Sequence, residues 1–357
     1  MTARAGFLIW AIVLILFGLI GYTRQTFNVQ TSYLCLMAKV RSDTPPPDIM
    51  FLGSSRIGSA IDPVYVQQKL SKALDRPDLT VEKFAILASQ PMQYVATVKE
   101  MLANRGAPDV VVMLPPYGIV EERVFDGNRL FWGRTAIMTD LDILEDIKTS
   151  FHAQDPLPLW RRISHADWQS MPEIWLKRAS EMIYAAVAEV PRRANNDIVG
   201  CPDDRRDSLV ATYTWPYGTI SDDADPREHP DMFWLDADGH EEAQKTADQH
   251  LSFDASSEER QLEVAAIETL VKALETAGAD TIFTLMPTYG REAVEPVTKT
   301  SLKAAFPDTP LVDSYDAFEG LDLDTRRETF RDSKHFNLIG GKYISQFWVK
   351  TLEARLK

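Results

Sequence analysis

Short apolar runs recur along the chain with helical patterns between them, and this alternation restricts the fold more than any other feature. Residues 48–52 (DIMFL), 81–86 (VEKFAI), 109–114 (DVVVML), 281–286 (TIFTLM) and 311–313 (LVD) each have strand length, and the run at 109–114 is apolar throughout after its first residue. An antiparallel strand with one wet face alternates apolar and polar residues; an unbroken apolar run belongs to a parallel strand covered on both faces. Helical signals fill the gaps. Asp62-Pro63 supplies an N-cap and a proline at the first helical position, opening a helix to about Leu74. Residues 92–104 carry apolar side chains at helical spacing and stop before Gly106. Residues 256–259 (SSEE) fit a capping box. Leu262, Ile267, Leu270, Val271 and Leu274 mark one helical face, and Gly278 stops it. Residues 338–356 form the closing helix. Five strands alternating with helices predict an α/β fold with a five-stranded, doubly wound parallel sheet.

Between residues 119 and 255 the rhythm lapses. This stretch reads as a large insertion, with a helix over 174–190 and a loop-rich part over 203–238. Its tryptophans, among them Trp132, Trp160, Trp168, Trp215 and Trp234, suit a small satellite core, with stacking on sugar rings as the sharper alternative. Residues 201–260 hold 16 acidic and five basic residues, so most of the chain's net charge of −14 is concentrated there. Residues 236–241 (DADGHE), which include His240, lack a full calcium-loop ligand pattern and read as a solvated acidic turn.

Residues 5–22 form an uncharged apolar run of 18 residues. As a helix it spans roughly 27 Å, close to the hydrocarbon thickness of a bilayer. It is longer than the apolar core of a secretory signal, and no small-residue cleavage site follows it. We read residues 1–25 as an uncleaved transmembrane anchor. Residues 26–47 are then a juxtamembrane linker ending in Pro45-Pro46-Pro47, and residues 48–357 the α/β domain. Basic residues flank the run on both sides (Arg4 before it; Arg24, Lys39 and Arg41 after it), so the positive-inside rule is nearly balanced or mildly adverse; the short N-terminal tail is the ground for expecting the bulk of the chain on the outer side of the cytoplasmic membrane. The acidic balance argues against nucleic acid as a partner, because phosphate contacts need clustered Lys and Arg. The two cysteines, Cys35 and Cys201, read as unrelated thiols, with a disulfide as the alternative in an oxidising compartment. Spacings typical of metal sites are absent.

In a parallel sheet of this kind the chemistry lies at the carboxyl ends of the strands. Two loops there carry suitable groups: Gly53-Ser54-Ser55-Arg56 after the first strand, and residues 332–337 (DSKHFN) before the last helix. A serine hydroxyl needs a base to take its proton, an imidazole suits that role, and a carboxylate fixes the imidazole's tautomer. Asp332 and His335 are three residues apart, close enough for one turn of backbone to bring carboxylate and ring together. A glycine at a strand end allows a sharp bend and close approach of backbone N–H groups to a substrate oxygen. Arg56 reads equally as an anion-binding side chain or a helix cap.

Residues 49–55 resemble the first block of the SGNH, or GDSL, hydrolase superfamily, with Ser54 in place of the usual Asp. Residues 332–340 resemble its last block, in which D-x-x-H supplies two triad members. The resemblance covers residues 48–118 and 256–357 and implies a flavodoxin-like fold with Ser55 as nucleophile, His335 as base and Asp332 as its partner. It also implies that Ser89 or Gln90 takes the place of the second-block oxyanion glycine. The third-block Asn is missing, because residues 115–118 read PPYG. The anchor, the G-S-S form and the missing Asn are most similar to one branch of the superfamily. That branch includes the D-alanine transfer protein of teichoic-acid modification and other partners of membrane-bound O-acyltransferases. It implies a cofactor-independent O-acyltransferase or esterase acting on an envelope or exported polysaccharide. The missing Asn keeps a second expectation open, a non-catalytic glycan-binding or scaffold subunit.

Overall fold

The structure is a computed structural model, and it describes residues 36, 39–40, 42–86, 91–115, 235, 237–248, 261–291 and 296–357. The apolar run at 5–22, both cysteines, the 174–190 helix, the capping box at 256–259 and most of the insertion lie outside these residues. Among the described residues no helix is long and apolar enough to cross a membrane.

Five strands form one all-parallel sheet: β1 (Ile49–Ser54), β2 (Val81–Ile86), β3 (Val110–Met113), β4 (Asp280–Leu285) and β5 (Leu311–Asp313). Their order is β2-β1-β3-β4-β5. The helices are α1 (Ser55–Ala60), α2 (Pro63–Ala73), α3 (Pro91–Asn104), α4 (Ala237–Asp248), α5 (Gln261–Thr276), α6 (Pro296–Ala305), α7 (Leu323–Arg327) and α8 (Leu338–Leu356), with a 3₁₀ turn at Ser314–Phe318.

The apolar runs are explained by burial on both faces. Met50 and Leu52 of β1 join a core with Tyr94, Val98 and Met101 of α3 and Ile267 and Leu270 of α5. Ile49 and Phe51 point the other way, into a core with Ile57 of α1, Val66 and Leu70 of α2 and Trp348 of α8. Trp348 meets Phe51 edge-on with ring centroids 5.9 Å apart, and its Nε1 donates to Ser314 Oγ at 3.2 Å. Burying a large apolar side chain stabilises the fold by roughly 1.5–3 kcal/mol, so alternation across β1 fastens helices to both faces. Leu36 and Val40, from the segment before the prolines, are also fully buried in the first core. Arg105 then donates to the carbonyls of Thr44 and Pro45 and pairs with Glu82 at 2.8 Å, tying that segment to β2 and α3.

Three local expectations change. First, β1 does not stop at Gly53; it runs through Ser54 and passes directly into α1. Gly53 has no positive φ, so it does not make the bend. Instead a Cβ there would collide with the side chain of Ile57, so glycine lets α1 pack against the strand end. Second, residues 237–248 are helical rather than part of an acidic turn or loop. Ala237, Glu241, Glu242 and Lys245 favour helix, Asp238 in the first turn complements the helix dipole, and Ala243 is buried against the second core. Third, α6 begins at Pro296 where no helix was expected; proline at that position costs no intrahelical bond.

The chain goes from β1 to β2 on one side and then to β3 on the other, so the strand order reverses between β1 and β3. Crevices outside the carboxyl ends at such a point are where ligands bind in sheets of this type. Ser54 is the last residue of β1, which puts Ser55 at that rim.

Candidate active site

Ser55 is the first residue of α1. The helix starts there because Ser54, in an extended conformation, is its N-cap, and the Ser54 side chain accepts from Arg56 N at 3.3 Å. Serine serves well at N-caps because its side-chain oxygen accepts from a first-turn N–H. Capping by Ser54 leaves the Ser55 hydroxyl available.

The second loop is bent back on itself before α8. Phe330 and Phe336 form an isolated antiparallel bridge, and their rings lie 4.8 Å apart. Asn337 caps α8 by accepting from Ile339 N and Gly340 N, while its Nδ2 donates to Glu328 O at 2.7 Å. Gly340 is required because a Cβ would strike Thr329 O and the Phe336 ring. Inside the bend, Asp332 Oδ1 accepts from the N–H groups of Lys334 and His335, both at 2.8 Å. That folds the turn so that the carboxylate reaches the ring: His335 Nδ1 lies 2.8 Å from Asp332 Oδ2 and 3.1 Å from Oδ1.

On the far side of the ring, His335 Nε2 is 2.7 Å from Ser55 Oγ. An ionised carboxylate only accepts, so Nδ1 must carry a proton to bond Asp332. The Nε2 lone pair is then free to accept from the Ser55 hydroxyl, which is the orientation that proton abstraction requires. Burial pushes the Asp332 carboxyl upward, but the His335 side chain, its charge, and the N–H groups of His335 and Lys334 outweigh it. The result is a pKa of about 2, so Asp332 is ionised at neutral pH.

The structure turns one end of the Arg56 guanidinium inward. Arg56 is buried at 3% exposure, and its Nη2 donates to the carbonyls of Met286 at 2.5 Å and Pro287 at 2.8 Å and to Thr288 Oγ1 at 3.2 Å. Nη2 satisfies carbonyls beyond the end of β4, so the side chain ties α1 to that loop. Sequence reasoning missed this loop. Thr288 N donates to Tyr315 Oη at 2.9 Å, and Tyr289 N donates to Ser333 O at 3.2 Å, so the loop braces the Asp332–His335 bend. Tyr289 also bonds His240 Nδ1 at 2.5 Å, which docks α4 beside the same loop. The strand ending in Pro287 was the only sequence signal, and it carried no pairing information.

Ser89 and Gln90, the oxyanion expectations, lie outside the described residues, as do Tyr117 and Gly118. Among the described residues no group of three or more His, Cys, Asp or Glu side chains is arranged to hold a metal ion. No family model matches the chain, and no curated protein sequence matches it.

Proposed function

We propose that the chain is a serine-dependent acyl-transfer enzyme of the SGNH type, with Ser55 as nucleophile. The observation that carries this reading is the line of hydrogen bonds Asp332–His335–Ser55, with 2.8 Å and 2.7 Å at its two joints. His335 Nε2 takes the Ser55 proton as Oγ attacks an ester or thioester carbonyl. The carbonyl π electrons move to oxygen, giving a tetrahedral oxyanion. Backbone N–H groups at Ser55 and near Ser89 or Gln90 hold that charge. His335 returns the proton to the leaving oxygen or sulfur, the bond to it breaks, and the acyl group remains on Ser55. Water, or a polymer hydroxyl deprotonated by His335, then releases it by the reverse steps. Asp332 keeps the imidazole oriented and stabilises its protonated form. These steps need no cofactor.

The apolar run at 5–22 supports a membrane anchor, and the proposal places the domain on the outer side of the cytoplasmic membrane. A site held there meets a membrane-bound O-acyltransferase as donor and an exported polysaccharide as acceptor. The strand order of the sheet is also that of the flavodoxin-like fold the resemblance implies.

The test uses the full chain purified in detergent. Wild type should react with a fluorophosphonate probe and turn over short-chain esters. Ser55→Ala should lose both by about a thousandfold or more while unfolding at the same temperature. Cells carrying Ser55→Ala should lose envelope acylation. Rapid ester turnover indifferent to any membrane partner would identify an esterase rather than a transferase. Unchanged acylation and unchanged esterase activity in Ser55→Ala would remove the catalytic reading and leave the scaffold subunit.

A further inference from the structure

We propose that Ser59 is a positioning residue that sets the register between the helix carrying Ser55 and the loop carrying His335; the proposal rests on the acyl-transfer reading above. Ser55 and Ser59 are four residues apart on α1, so they share one face, a turn apart. They meet two consecutive residues of the other loop. Ser55 Oγ is 2.7 Å from His335 Nε2, and Phe336 N donates to Ser59 Oγ at 3.2 Å.

The direction of the second contact is determined by hydroxyl chemistry. A serine hydroxyl has one proton and two lone pairs. Ser59 directs its proton at Arg56 O, 3.2 Å away within the same helix, which turns lone pairs toward the Phe336 amide. Ser59 is 1% exposed and Phe336 fully buried, so solvent does not readily replace this acceptor. The neighbouring amides are satisfied within the loop: those of Lys334 and His335 by Asp332 Oδ1, and that of Asn337 by Thr329 O. The Phe336 amide instead crosses to α1. One side of the His335 backbone is therefore held by Asp332; on the other, Arg331 N donates to His335 O at 3.0 Å within the loop, and the Phe336 N–H is the bond that reaches α1 through Ser59.

A helix of six residues has little rigidity of its own, so its placement depends on outside contacts. Arg56 fastens α1 to the loop after β4, and Ser59 fastens it to the His335 loop. Without the Ser59 oxygen, the Phe336 N–H loses its bond to α1, and the spacing between Ser55 on that helix and His335 on the loop is held less tightly. A displacement of about 1 Å at reacting groups lowers rates by about a hundredfold.

The experiment compares wild type, Ser59→Ala, Ser59→Cys, Ser55→Ala and His335→Asn as full chains in detergent, well below each unfolding temperature. Three quantities are read: the fluorophosphonate labelling rate, kcat and KM for a short-chain ester, and the downfield proton resonance of His335 Nδ1–H, identified by its loss in His335→Asn. Ser59→Ala should label about ten- to a hundredfold more slowly. Its kcat should fall with KM unchanged, and the resonance should shift or broaden. Ser59→Cys keeps the size with a weaker acceptor and should fall between; it is the test variant if Ser59→Ala does not fold. A folded Ser59 variant with wild-type labelling and an unshifted resonance overturns the proposal, even if it unfolds at lower temperature. If wild type neither labels nor hydrolyses esters, the acyl-transfer reading fails. The resonance then decides the positioning role alone: a changed signal in Ser59→Ala upholds it and an unchanged one overturns it.

Discussion

Ser55 Oγ and His335 Nε2 stand 2.7 Å apart although 280 positions separate them in the chain. The contact follows from one strand end and one loop. β1 passes directly into α1 at Ser54, presenting Ser55 at the rim, and the loop before α8 folds over that rim. Ser345 of α8 reinforces the juxtaposition: its hydroxyl donates to Ala60 O at 3.2 Å and accepts from Asp62 N at 3.0 Å, pinning α8 to the corner between α1 and α2.

Asp332 should contribute stability that depends on acid pH. Its folded pKa of about 2 lies below the ordinary value of 3.8, so folding favours the ionised form. The contribution is therefore present above about pH 4 and lost as pH falls towards 2. About half of the side chain is exposed, and solvent screening limits the effect to about 1 kcal/mol. Denaturation of wild type and Asp332→Asn at pH 6, 4 and 2.5 checks this. The gap between them should narrow as pH falls, and a constant gap would contradict the assignment.

Lys83 should act in the opposite pH range. It is fully buried, and its Nζ donates to Gly58 O at 2.8 Å and Ile61 O at 3.0 Å at the end of α1. Burial pushes its pKa down to about 7, against a weaker opposing pull from Asp62. Between about pH 7 and the ordinary value of 10.5, the unfolded chain holds the proton that the folded chain has released. Stability should therefore rise with pH through that window, by on the order of 2 kcal/mol between pH 7 and pH 9.5. Lys83→Met should flatten the rise, as measured by chemical denaturation. An equal rise in both proteins would show that Lys83 is not its source.

Arg56→Ala should weaken the fold rather than substrate binding. It strands the carbonyls of Met286 and Pro287, and loss of a buried charged donor costs about 2–4 kcal/mol. The expected outcome is a lower denaturation midpoint with KM for an anionic ester close to wild type. A raised KM with an unchanged midpoint would restore the anion-binding role instead.

Gly53→Ala should disturb the nucleophile helix. The added methyl meets Ile57 and lies 3.2 Å from Leu114 Cβ. Overpacking of this kind costs about 1–3 kcal/mol. Since Ile57 belongs to α1, fluorophosphonate labelling of Ser55 should slow along with the loss of stability. Full labelling and full stability together would mean that the contact relaxes without moving the helix.

The sheet was legible because burial on both faces favours apolar runs, most plainly at β3, where every residue is apolar and buried; residues 81–86 and 311–313, though less apolar, match β2 and β5 to the residue. Helix α2 was legible from its start at Asp62-Pro63, and the closing helix was expected over the residues that α8 spans. Helices α1 and α4 were not. Residues 55–60 (SRIGSA) have no apolar stripe, and residues 237–248 are polar enough to pass for a turn. Both are held by tertiary contacts, Ile57 beside Gly53 and Ala243 in the second core. By itself the sequence determined a parallel α/β sheet and named a hydroxyl, an imidazole and a carboxylate at its strand ends, since local periodicity and turn chemistry depend on near neighbours in the chain. Only the tertiary structure decided that Arg56 faces inward to the loop after β4, that Ser59 meets Phe336, and that Ser55 meets His335. Such pairings follow from how distant loops converge at a strand-order reversal, and no local pattern of residues specifies that distance.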